Sequence, residues 1–256
     1  MDAVIPELVH PPTLTVVKFV LVLLAVQAML LYAVFRTAPD SRAGGRRVAV
    51  AATAFALVMV VTGALASSGL LAADPLWVPA YPIATVFVVL FLGFGRPGAA
   101  MAAAVAPVYW VLFQGFRLPL EIVLHSCVRA GTIPVQMTWG GQNFDIVSGL
   151  LALALGAAWL TRPKATWLGV VAHVVGLALL LNVGRIVLLS LPTPLRAFEG
   201  APLLLPFHVP YTWIVPFAVG AALFGHVVGL RAIRRARRVA AEGMPIPAEY
   251  LPESDR

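Results

Sequence analysis

The chain has 256 residues, of which 61% are hydrophobic and only 11% charged, with a formal net charge of +7. That composition excludes an ordinary soluble globular domain, because its surface needs lipid as solvent. The basic charge does not point to nucleic acid: the arginines are concentrated in short connections and beside the last apolar run, where anionic lipid headgroups account for them.

Hydrophobic runs long enough to cross roughly 30 Å of hydrocarbon recur from Leu14 to Leu230. They predict an all-α polytopic bundle of about seven spans plus one interfacial or re-entrant helix. The first span covers about Leu14 to Phe35 and is expected to be a retained helix, since it lacks a basic leader and a small-residue cleavage site. A basic connection, Arg36 to Arg47, leads to the second span, about Arg47 to Leu71. An outer loop with Asp74 and Pro75 follows. Spans three (about Tyr81 to Phe94) and four (about Gly98 to Phe116) meet at the Gly95-Arg96-Pro97 turn. Leu118 to Arg129 reads as a helix with a polar line, and Gly131 to Phe144 as a loop. Span five is about Asp145 to Leu160, span six about Ala165 to Leu191, and span seven about Tyr211 to Leu230. Residues 1–239 are read as one membrane domain and 240–256 as a loose polar tail with Pro245, Pro247 and Pro252. No internal repeat is recognised.

Arg36, Arg42, Arg46, Arg47, Arg96, Arg162, Lys164 and the cluster Arg231, Arg234, Arg235, Arg237 and Arg238 fall in alternate connections, while the others hold only Arg117, Arg129 and Arg196. This asymmetry predicts a multi-pass protein of the cell membrane with its N-terminus extracytoplasmic and its C-terminus in the cytoplasm.

Candidate functional residues gather on the predicted outer side. Arg117, Glu121, His125 and Arg129 recur every four residues and form one drifting helical stripe. The stripe either lies flat in the headgroup region or faces the bundle interior and lines a cavity. In the loop that follows, Asn143 or Asp145 can cap span five, and Asp145 can alternatively serve as a general base or charge partner. Trp139 suits an interface anchor. In span six Asn182 and Arg185 share a face, and Arg185 either snorkels outward or holds an anionic group. His208 is placed to move protons. His173 and His226 sit deeper and are expected to be packing residues. Cys127, the single cysteine, excludes an intramolecular disulfide and a cysteine-cluster metal site; it is either a small apolar residue or, beside His125 and Arg129, a thiolate. No Gly-rich phosphate loop or His-Glu-x-x-His pair is present, and neither a metal nor another cofactor is expected.

From span five onward the chain resembles the exosortase and archaeosortase group, polytopic membrane cysteine transpeptidases that process C-terminal sorting signals outside the cytoplasmic membrane. The resembling residues are Val147-Ser148-Gly149-Leu150, the Asn182-x-x-Arg185-Ile186 face and a later histidine, His208 or His226. The group's nucleophilic cysteine precedes the Ser-Gly pair, and here Val147 stands there. The resemblance therefore implies the scaffold of such an enzyme without its thiol at that position, either with Cys127 as substitute or with another task, and the second is favoured. The expected function is an outward-facing polar pocket that acts on or binds an anionic peptide or lipid group. In that reading Arg185, His208, Asp145 and Cys127 are the reacting groups, and Arg117, Glu121, His125, Arg129, Asn143 and Asn182 hold the substrate. The alternative is a non-enzymatic scaffold, an assembly partner of an envelope complex, or a small transporter.

Overall fold

The computed structural model describes residues 8–71 and 77–242, and among them all regular structure is helical. The loop residues Asp74 and Pro75 and the prolines of the 243–256 tail lie outside the described residues.

Helices α1 (Thr13–Arg36) and α2 (Ser41–Ser67) form an antiparallel hairpin. The turn is local chemistry: the Asp40 carboxylate accepts from the Ala43 amide at 2.8 Å, and Arg47 reaches back to donate to the Thr37 carbonyl at 2.6 Å. Only Gly44, Thr62 and Ala66 of α2 are buried, so this helix presents most of its apolar surface outward, as a lipid-facing helix does. Helix α3 (Trp77–Phe94) bends by 56° at Gly95 into the short α4 (Arg96–Ala104).

After an extended break at Val105 and Ala106 come α5 (Pro107–Phe113) and α6 (Arg117–Arg129), joined by a single tight turn at Gln114–Phe116. Helices α7 (Asp145–Thr161) and α8 (Thr166–Ser190) follow. The chain then passes through a 3-10 turn and a wider π turn, Val215–Gly220, into α9 (Ala221–Ala241).

Helix α9 is the hub, in contact with α3, α4, α5 and α8. Its basic end is tied down: Arg231 donates to the carbonyls of Gly93 and Gly95, and Arg237 to the Thr166 hydroxyl at 2.9 Å. Three of the basic groups expected on one side, at Arg96, at Arg162 and Lys164, and on α9, are thereby gathered at one end of the bundle.

By length and apolarity five helical segments suffice to cross a membrane, and six if the bent α3–α4 pair counts as one, which makes this a multi-pass membrane protein. The count differs from about seven for two reasons. Helix α7 has 17 residues, short for a full span, and the fourth expected span is divided. Its break falls at Val105-Ala106, not at Arg117, because a proline disfavours helical geometry in the residue before it and Pro107 restarts the helix at its first position. The second half continues through Arg117, so Pro107–Arg129 is one apolar run of 23 residues. Arg117, expected in an outer connection, thus lies about 15 Å along that run, inside the bundle.

Close helix approach in lipid depends on small residues. A Cβ placed on Gly149 of α7 would sit 2.5 Å from the backbone nitrogen of Leu118 and 2.9 Å from its Cβ, so α7 can cross the start of α6 only with glycine there. Gly149→Ala is expected to lower stability by about 1–3 kcal/mol, read as a drop in the thermal midpoint of the detergent-solubilised chain. Gly45→Ala, at a site with nothing within 4 Å, should leave it unchanged or slightly raised.

Candidate functional site

The crossing at Gly149 brings Arg117, at the start of α6, onto Asp145, at the start of α7. Arg117 is 1% exposed and engages Asp145 through both ends of its fork: Nε donates to Oδ2 at 2.6 Å, and Nη2 donates to Oδ1. Bidentate pairing is the arrangement in which a buried guanidinium best recovers the hydration it loses. The second arm, Nη1, donates to the Gly176 carbonyl at 3.1 Å and contacts His226 Nε2 at 3.2 Å.

That last contact sets a tautomer. Arginine can only donate, so His226 Nε2 accepts and its ring proton sits on Nδ1. His226 Nδ1 lies 3.0 Å from His173 Nδ1, which must therefore accept, leaving the His173 proton on Nε2. Both rings are fully buried.

The polar chain extends the other way through Asn143. Its Oδ1 accepts from the Asp145 amide at 2.9 Å, and its Nδ2 donates to Glu121 Oε1 and to the Met137 carbonyl, each at 2.9 Å. Of the two capping candidates, Asn143 accepts from the first amide of α7 and Asp145 is the charge partner of Arg117. Glu121, 1% exposed, keeps one oxygen, Oε2, without a hydrogen-bond partner. Six side chains from α6, α7, α8, α9 and the loop before α7 thus form one continuous buried line.

This line floors a cavity of about 340 Å³. Arg117, Glu121, Asn143 and Asp145 reach it, while its walls are apolar: Pro82 and Val86 from α3, Leu180 and Val183 from α8, and Val219 from the π turn. The π turn widens the helix where it borders this space, and Pro216 within it lacks the N–H that regular helix bonding would use. Helices α3 and α8 both pack on α9 and have little direct contact with each other. At the rim Phe87 is 69% exposed and Leu188 39%, so the cavity opens sideways between α3 and α8.

The other sequence candidates lie elsewhere. Arg185 is exposed on the outside of α8, where it donates to Gln142 Oε1 at 2.7 Å and to Asn182 Oδ1, while Asn182 donates to the Gln142 carbonyl at 2.8 Å. His125 stacks flat on Trp139, with ring centroids 4.3 Å apart, and Arg129 is exposed at the end of α6. The stripe therefore turns from buried at Arg117 and Glu121 to exposed at Arg129, as its angular drift requires, and it faces the bundle interior instead of lying flat. His208 is not among the residues lining the cavity; burial and the neighbouring His10 hold its imidazole below the usual range. Cys127 is 1% exposed in the main apolar core and is not part of the cavity lining, and Val147 lies on the partly exposed face of α7.

His173 and His226, expected only to pack, belong to the polar line. The signal was in the sequence: His173-Val-Val-Gly-Leu177 recurs as His226-Val-Val-Gly-Leu230. The structure gives the repeat a purpose, because the two copies pack reciprocally. A Cβ on Gly176 would lie 2.9 Å from His226 Nε2, and a Cβ on Gly229 would collide with the His173 ring. Each glycine makes room for the other helix's histidine.

No protein-family model, curated protein or solved structure matches the chain.

Removing one member of a buried ion pair strands the other, whereas replacing both with apolar groups does not. Asp145→Ala is expected to cost about 3–5 kcal/mol, and Arg117→Met combined with Asp145→Leu to recover most of that loss. Thermal denaturation of the purified variants reads both, and a double variant as unstable as the single one would refute the pairing argument.

Proposed function

We propose that this chain admits a ligand with an apolar tail sideways from the bilayer, between α3 and α8, and holds the ligand's polar head against Arg117, Asp145, Asn143 and Glu121. One observation carries the reading: an apolar-walled cavity that opens on the lipid-facing flank and ends on a buried ionic floor. A water-soluble ligand has no use for such walls, and a purely structural bundle has no use for the opening. Ionisable groups at membrane depth are costly and normally serve a ligand, a proton or an ion.

The floor lies away from the basic end formed by Arg162, Lys164 and the arginines of α9. Asp145 begins α7, and Arg162 follows its end about 25 Å away. With the basic end in the cytoplasm, the head-group site belongs to the extracytoplasmic leaflet of a cell membrane, as the charge asymmetry predicts. This agrees with the scaffold suggested by the resemblance to exosortases, whose substrates are processed on that side. A thiol mechanism draws no support from the position of Cys127, which is sealed in the core. The reading is therefore a lipid-facing binding site, with processing of the bound head left to the polar line.

The experiment is photolabelling in vesicles with a single-chain C16 amphiphile carrying a diazirine on its chain. Labels are expected to concentrate on the cavity walls, with Leu180 and Val183 marked beyond the outward face of α2. Gly184 lines the cavity, and a Cβ there meets nothing within 4 Å. Gly184→Trp should therefore plug the gap and abolish the wall labelling while the thermal midpoint holds. Uniform labelling of all outward faces, unaltered by the plug, would overturn the proposal.

A further inference from the structure

Arg117 has five N–H groups. Nε spends one on Asp145, Nη1 spends two on Gly176 and His226, and Nη2 spends one on Asp145. The second N–H of Nη2 is left over. One helical turn away Glu121 Oε2 is buried and also without a partner. Both side chains line the cavity, so two unmet hydrogen-bonding groups lie one helical turn apart at its floor.

Charge decides what can meet them. Both Asp145 oxygens already hold Arg117, so that pair is neutral as a unit. Among the described residues lining the cavity, Arg117 is the one cation, and Glu121 and Asp145 are acidic. An anionic head would gain a single N–H while being buried against two carboxyl groups, without a cation of its own. An ammonium head could donate to Glu121 but, having no acceptor, would leave the spare N–H of Arg117 unmet. A neutral head that both accepts and donates satisfies the two groups at once and adds no charge.

We infer that the cavity floor selects an uncharged donor–acceptor head group, a hydroxyl or a primary amide, on an apolar chain, with Arg117 donating to its oxygen and Glu121 engaging its O–H or N–H. This rests on the lateral-entry reading above, and departs from the anionic substrate suggested by the sequence, because the guanidinium inside the cavity is already matched and Arg185 lies outside it.

The test uses the full-length chain in nanodiscs and four C16 diazirine probes that differ only in the head: alcohol, primary amide, carboxylate and amine. Labelling of Leu180 and Val183 is normalised to labelling of Val50, Leu57 and Val60 on the exposed face of α2, which reports how much probe the bilayer holds. The alcohol and amide are expected to exceed the carboxylate and amine by about tenfold. Glu121→Gln, which keeps the shape and offers an N–H in place of a carboxyl oxygen, should raise carboxylate labelling severalfold. Equal normalised labelling by all four probes, or a preference for carboxylate in the unmodified chain, overturns the head-group inference while leaving lateral entry standing. Absence of wall labelling by every probe overturns both.

Discussion

The bidentate pair between Arg117 and Asp145 is the constraint on which the rest of this structure depends. A guanidinium halfway along a 23-residue apolar run has no water to solvate it, so the fold must deliver a carboxylate, and the carboxylate comes from the first residue of another helix. That requirement fixes where α7 begins and how deep it sits against α6. It also explains why the backbone of α7 is glycine where it meets Leu118. With its carboxylate committed to Arg117, Asp145 does not cap α7, and Asn143 accepts from the Asp145 amide instead.

Satisfying one arm of the guanidinium leaves the other, and here the structure recruits α8 and α9. A carbonyl from α8 and an imidazole from α9 take the two donors of Nη1, and a second imidazole from α8 holds the first in its tautomer. The repeated His-Val-Val-Gly-Leu segments run on adjacent helices, so that each glycine faces the other copy's ring. In a bilayer there is no hydrophobic gain from bringing helices together, and interlocking of small and large side chains supplies the contact instead. The histidine pair is thus at once a packing device and the rear support of the arginine.

With α6, α7, α8 and α9 bound around this polar line, α3 packs on α9, on α4 and on the π turn and has little contact with α8, so the space between α3 and α8 stays open. The opening is apolar because apolar side chains of α3, α8 and the π turn line it, and its floor is polar because that is where the buried line surfaces. The proposed amphipathic occupant rests on those two facts together. The exposed cluster of Arg185, Asn182 and Gln142 sits outside this arrangement and closes on itself.

Composition and charge placement were sufficient to establish a helical multi-pass protein, since apolar runs of membrane length have few other fates and backbone groups in lipid must bond within helices. The four-residue spacing of Arg117 and Glu121, and the concentration of polar groups around Asn143 and Asp145, were likewise legible as polar groups that could share one face of the bundle. Pairing was not. Which carboxyl group meets Arg117, whether Arg185 points in or out, and whether His226 merely packs depend on the rotation of each helix about its axis. In a membrane that rotation is weakly encoded, because the sides facing lipid and the sides facing protein are both apolar, and polarity does not tell one from the other. Only the close approach of α7 to α6, and of α8 to α9, decided it. The sequence determined what could be buried; tertiary contact chose which buried groups would meet.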